Sequence, residues 1–191
     1  MPTPKAANAY GFRVVDLRHW WPEERPPMAA HEVTAIVTHH DGVLMAAGDR
    51  DYSGSTLNED LARIGAIHEH SEREGWGPFP YHKIVSPNGR VFLTRDTLRQ
   101  AAHVWGRNHE SAAVCFMGDF TTSEPGDVQV CAGAVAMVIT LLELGYFLPL
   151  PGHGEFALAG HGSECPGATF SAWQRRLWAY MGMQVRRVDR D

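Results

Sequence analysis

The segment Gly160-His161-Gly162-Ser163-Glu164-Cys165-Pro166-Gly167 sets a histidine and a cysteine close together across a short, glycine-containing turn. Imidazole and thiolate are both good ligands for borderline-soft Zn²⁺, which accepts that mixture. Far upstream, the apolar run Ala35 to Thr38 ends on His39-His40. Neighbouring residues on a strand point to opposite faces, so one of these two histidines at most faces a given metal. Spacing alone leaves open which one. His153 is a competing ligand, but its place in Pro151-Gly152-His153-Gly154 reads as a plain turn.

The elements that must position these residues can be read in order. Residues 1–30, with Trp20-Trp21-Pro22 and Pro26-Pro27, read as an extended N-terminal arm with local structure, not as a domain, and whether it packs on the rest is left open. Residues 41–55 are rich in Gly, Asp and Ser and read as loop. Leu57, Leu61, Ile64 and Ile67 recur every three or four residues, which predicts an amphipathic helix stopped at Gly75. Tyr81 to Ser86 and Arg90 to Thr94 flank Pro87-Asn88-Gly89, a hairpin signal because Asn-Gly supplies the positive φ of a tight turn. Ala112 to Phe116 predicts a strand with Cys115 buried in it. Val128 to Leu144 predicts a long buried helix ending at Gly145. Phe156 to Ala159 predicts a last strand, and Ser171 to Tyr180 a closing helix. Strands alternating with helices imply an α/β fold: one domain over residues 31–183, with a central mixed sheet flanked by helices, and a tail over 184–191.

Composition narrows the function. The chain has 191 residues, enough for one well-buried core. Its formal charge is −5 and no basic run exceeds two residues, which argues against nucleic-acid binding. Three widely spaced cysteines do not form a disulfide framework. The first residues lack the apolar stretch of a secretory signal. The most apolar segment, Val128 to Leu144, is interrupted by Gln129, Thr140 and Glu143, so no membrane insertion is expected. The expectation is a monomer made in the cytoplasm.

The pieces also stand in a recognisable order. They are Ile36-Val-Thr-His39-His40, Gly75-Trp76 followed by Tyr81-His82, Ala102-His103 followed by Asn108-His109, Gly118-Asp119-Phe120, and Gly160-His161 followed by Cys165-Pro166-Gly167. Over residues 32–182 the chain resembles the zinc N-acetylmuramoyl-L-alanine amidases of the type 2 group, which share their fold with peptidoglycan recognition proteins. Within that group it is most similar to phage endolysins, which act on the cell wall after release. The resemblance implies zinc held by His39, His161 and Cys165, catalysis by Tyr81, and peptidoglycan-groove positions at His103 and Asn108. Cys115 matches a position that holds Glu in one branch of the family and Cys in the phage branch. The resemblance favours His39 over His40, which is expected to be hydrogen-bonded on the opposite face. Trp76 and Trp105 read equally as groove lining or as packing.

One departure stands out. In the relatives a longer loop separates the second histidine from the cysteine and carries Lys or Thr two residues before it. Here only Gly162, Ser163 and Glu164 lie between His161 and Cys165. Two substitutes suggest themselves. Lys83 shares a strand face with Tyr81 if alternation holds, and would bring a positive charge to the groove. Glu164 would carry a proton beside the metal. Two imidazoles and a thiolate leave zinc an open fourth position, the arrangement of a hydrolytic site. The expected reaction is hydrolysis of the amide between N-acetylmuramic acid and L-alanine. Two rivals are a non-catalytic peptidoglycan-binding protein of the same fold and a structural zinc domain, in which His40 or His153 would supply a fourth ligand.

Overall fold

The computed structural model describes residues 5–9, 11–21, 25–42 and 54–188. Most of the loop expected over 41–55 lies outside them. Six strands form one mixed sheet: β1 (Lys5–Ala9), β2 (Phe12–Asp16), β3 (Ala35–His40), β4 (Lys83–Val85), β5 (Val91–Leu93) and β6 (Ser111–Phe116). Their order across the sheet is β1-β2-β5-β4-β6-β3. The β4–β5 hairpin is antiparallel and turns at Gly89, whose φ of 85° is the positive value expected from Asn-Gly. β6 runs parallel to both β4 and β3, with His39 opposite Cys115.

Helices cover both faces, as the sequence pattern implied. On one side lies α1 (Leu57–Arg73). The Thr56 hydroxyl accepts from the Glu59 amide, and the Glu59 carboxylate accepts from the Thr56 amide, which fixes where α1 starts. Ile64 and Ile67 of α1 pack with Val15, Ile84, Phe92 and Cys115. On the other side lie α2 (Asp127–Leu144) and α4 (Phe170–Val188), packed with Val14, Val85, Val91, Val114 and Phe116. α2 is long and apolar enough to cross a membrane by length and composition, yet 67% of it is buried against the sheet and α4. It is the core helix of the domain.

Three sequence expectations need correction. The division between an arm over 1–30 and a domain from 31 does not hold for the described residues: β1 and β2 extend the sheet, and β2 pairs parallel with β5. Val14 and Val15 are both buried because β2 has a packed layer on either face. Next, α4 runs through 184–188, where a tail was expected, while 189–191 lie outside the described residues. Finally, Phe156 to Ala159 is not a strand. Its first residue ends a short helix, α3 (His153–Phe156). A run of four apolar residues fits strand or helix equally, and here the Glu155 carboxylate accepting from the Gly152 amide starts a helical turn.

Lys83 requires a fourth correction. It is buried at 1% exposure, with Nζ 2.7 Å from Thr97 Oγ1 and 2.7 Å from Glu143 Oε2. Glu143 belongs to α2, so Lys83 faces away from Tyr81, which packs on the α1 side. Alternation fails because Tyr81 precedes β4. The amides of Thr94 and Arg95 both donate to the His82 carbonyl, a bulge at the point where the strand begins. Lys83 therefore holds α2 to the sheet. Lys83→Met is expected to lower unfolding stability by about 2 kcal/mol, less than a fully buried pair would lose because Glu143 is partly solvated. Chemical denaturation reads this directly, and unchanged stability would contradict the assignment.

Candidate metal centre and groove

His39 sits at the carboxyl end of edge strand β3, held by the parallel ladder to β6. The free side of β3 is taken by residues 149–152. The Ile36 amide donates to the Pro149 carbonyl, the Thr38 amide donates to Pro151, and Thr38 bridges Gly152 in parallel. This edge pairing carries His153 directly beside His39, with ring centroids 4.8 Å apart. The loop bearing Cys165 then folds back over α3. The Gly154 amide donates to the Cys165 carbonyl at 2.9 Å, and a Cβ at Gly154 would lie 2.1 Å from the Ser163 carbonyl oxygen. Gly154 is thus glycine because backbone passes where a side chain would start.

The outcome is a cluster of His39, His153 and Cys165, with one potential ligand atom from each within 4.8 Å of the others. It is the single such group of three among the described residues. His39 Nδ1 lies 3.7 Å from Cys165 Sγ. The His40 amide donates to that sulfur at 3.2 Å. Burial holds His39 well below the ordinary imidazole value, and to a lesser degree His153, so both are neutral electron-pair donors at neutral pH. Burial also pushes the Cys165 thiol up to about 12, so without a cation beside it the sulfur keeps its proton. The cluster lies in a groove of ≈ 820 Å³ walled by α1 residues Ile67 and His70, by Trp76 and Tyr81, and by the 102–108 loop.

No family model matches the chain. A mutant Drosophila peptidoglycan recognition protein LB, solved in complex with tracheal cytotoxin, superposes with a TM-score of 0.68 at 17% identity, over 84% of this chain and 94% of that one. The endolysin of Escherichia phage T7 is 26% identical over 114 residues, 58% of this chain and 73% of the endolysin. The human N-acetylmuramoyl-L-alanine amidase is 26% identical over 102 residues, 51% of this chain but only 17% of the human protein's length. This chain has the peptidoglycan recognition protein/type 2 amidase fold.

Within that fold, the structure separates the residues anticipated from sequence. His39 and Cys165 come together, but the histidine that joins them is His153. His161 is exposed and stacks on exposed Trp105, with ring centroids 5.9 Å apart. This removes the apparent shortening of the loop. The interval before the cysteine runs from Gly154 to Glu164, and Ser163 takes the position two residues before Cys165. Ser163 Oγ accepts from the Cys165 amide at 3.1 Å and lines the groove with Glu164. The signal for His153 was present in sequence, as an imidazole between two glycines, but it reads as a turn until the edge pairing of 149–152 is known.

Tyr81 lies beside His39, ring centroids 5.2 Å apart, and packs in the same cluster as buried Cys115. Burial pushes the phenol well above its usual value of 10, so it stays a proton donor. His103 and Asn108 both line the groove. The Asn108 side-chain oxygen accepts from the amides of His103 and Val104 and so shapes the loop that carries His103. His40 points to the other face, where its Nδ1 accepts from the Phe120 amide at 2.9 Å.

The donor set fits zinc. Bonds of about 2.05 Å to nitrogen and 2.3 Å to sulfur at tetrahedral angles separate the two donors by roughly 3.6 Å. The His39–Cys165 distance of 3.7 Å agrees with that edge. Three protein ligands leave the fourth position open. The amide of His40 pointing at the sulfur is suited to a thiolate, because a hydrogen bond to the charged form favours it.

Proposed function

We propose that the protein is a zinc-dependent N-acetylmuramoyl-L-alanine amidase that cleaves the amide between the lactyl group of N-acetylmuramic acid and L-alanine in peptidoglycan. The observation that carries this reading is the cluster of two neutral imidazoles and one cysteine at the base of a groove, faced by the protonated phenol of Tyr81. Relatives named amidase and endolysin support it, as does a structural neighbour solved with tracheal cytotoxin, a muropeptide.

Zinc, when bound by His39, His153 and Cys165, supplies Lewis-acid polarisation of the scissile carbonyl and a water of lowered pKa. The rest of the chemistry belongs to the chain. Tyr81, neutral and partly buried beside His39, donates a hydrogen bond to the oxygen that becomes negative at the tetrahedral carbon, where one such donor is typically worth roughly 3 kcal/mol. The departing amine needs a proton. Glu164 on the rim of the groove and Ser163 beside Cys165 are the side chains placed to pass it on. The α1 wall and the 102–108 loop take up the glycopeptide on either side. A lysis role, with the protein acting on the wall after release from a phage-infected cell, fits the likeness to the T7 endolysin.

The alternative is a peptidoglycan-binding protein of the same fold without catalysis. Cys165 favours the enzyme, since binding alone needs no thiolate facing two imidazoles. The test is a peptidoglycan suspension treated with zinc-loaded protein. The expected result is loss of turbidity with new alanine amino termini and no new reducing ends, stopped by a chelator and restored by zinc. Saturable wall binding without new amino termini would overturn the enzyme reading in favour of the binding protein.

A further inference from the structure

The mechanism above leaves His103 unused, although it is among the most completely enclosed histidines of the molecule. It is 7% exposed and lies directly behind His39, with His39 Nε2 3.0 Å from His103 Nδ1 and the two rings nearly perpendicular at 86°. On the far side of its ring, His103 Nε2 lies 3.3 Å from the Ser111 carbonyl oxygen and 3.3 Å from Ser111 Oγ.

These contacts determine the protons. The Ser111 carbonyl can only accept. The Ser111 hydroxyl donates its hydrogen to the Arg107 carbonyl at 2.8 Å, so toward His103 its oxygen also accepts. Both neighbours of His103 Nε2 are therefore acceptors, and Nε2 must carry the hydrogen. A neutral imidazole with hydrogen on Nε2 has a bare Nδ1, which can only accept from His39. His39 then bears its own hydrogen on Nε2 and presents a bare Nδ1 toward Cys165 Sγ, 3.7 Å away. Both rings are enclosed, His39 at 2% and His103 at 7% exposure, a setting that favours the uncharged imidazole.

We infer that His103 is a positioning residue which, through a Ser111–His103–His39 hydrogen-bond relay, fixes His39 in the tautomer and ring orientation that a metal at Nδ1 requires. The relay is anchored where it needs to be rigid. Ser111 opens β6 and pairs in register with Ala35 of β3, the strand that bears His39. Asn108 holds the backbone of His103 in place from within the same loop. His103 thus touches the groove at its edge while both ring nitrogens are engaged inward. The inference rests on the proposed metal site, but its test does not depend on amide cleavage.

The experiment has two arms. In the zinc-free wild-type protein, long-range ¹H–¹⁵N correlation of histidine rings should show His39 and His103 each protonated on Nε2 alone. A His39 hydrogen on Nδ1 would overturn the relay whether or not the protein binds zinc or cleaves walls. In the second arm, zinc affinity is measured by competition with a chromophoric chelator. His103→Phe should weaken binding roughly 10- to 100-fold, the usual cost of losing an outer hydrogen-bond partner of a metal-bound histidine. His103→Asn, whose side-chain oxygen can accept where Nδ1 did, should recover most of it. Equal affinity in His103→Phe and wild type, or loss in His103→Asn as severe as in His103→Phe, would overturn the assignment. If His103→Phe fails to fold, the wild-type tautomer and the His103→Asn affinity still decide it.

Discussion

His153→Ala is expected to abolish tight zinc binding, whereas His161→Ala leaves it unchanged. The two histidines are close in sequence and share glycine neighbours, yet only His153 reaches the cluster with His39 and Cys165. Loss of a direct ligand should cost more than the roughly 100-fold that outer partners are worth. It also leaves zinc with two protein ligands, short of the three that hydrolytic sites use. His161 is exposed against Trp105, so its removal changes a surface stack and nothing at the cluster. Chelator competition on the two variants separates them cleanly, with thermal melting as the control for folding. Tight binding by His153→Ala together with weak binding by His161→Ala would reverse the assignment.

Gly154→Ala is the second change with a large expected effect, and it adds only one methyl group. Gly154 lies within α3, where alanine is otherwise the better residue. The cost comes from outside the helix. The new Cβ would stand 2.1 Å from the Ser163 carbonyl oxygen, so the loop must withdraw by nearly 1 Å to reach even the tightest normal contact. That displacement acts on Cys165, two residues further on, and stretches the Gly154–Cys165 hydrogen bond of 2.9 Å. A misplacement of this size is worth on the order of 100-fold in rate. Wall-clearing rate and zinc affinity should therefore both fall by about that factor, while the melting temperature of the zinc-free protein shifts little because the sheet is untouched. Wild-type affinity in Gly154→Ala would mean that the loop position is not set by this contact.

What could be read from the sequence follows from what each pattern encodes. The amphipathic spacing of Leu57 to Ile67, the Asn-Gly turn and the apolar run into Leu144 are local signals, and each became the expected element. That His39 and Cys165 come together was legible from the order of motifs, since the two histidines alone left the choice between them open. His153 was not, because its role depends on the pairing of residues 149–152 with the edge of β3, a contact between distant parts of the chain. Lys83 failed for a related reason. Counting by two assumes an unbroken strand, and the bulge at His82 ends the strand before Tyr81. β1 and β2 were hidden by composition, since prolines and charges nearby outweighed two short strands.

The edge pairing of residues 149–152 also bears on how the chain is held together. One candidate ligand belongs to the sheet itself, and the other two sit in the connection between α2 and α4, which meets β3 through an edge pairing and a single turn of helix. A cation shared among them closes long covalent loops, so its attraction offsets chain entropy alongside those few edge hydrogen bonds and the packing of Phe156 on β3. The three cysteines are free, so no disulfide does this work among the described residues. A metal at this site would be a clasp as well as a reagent, drawing the connection between α2 and α4 onto the strand that carries His39.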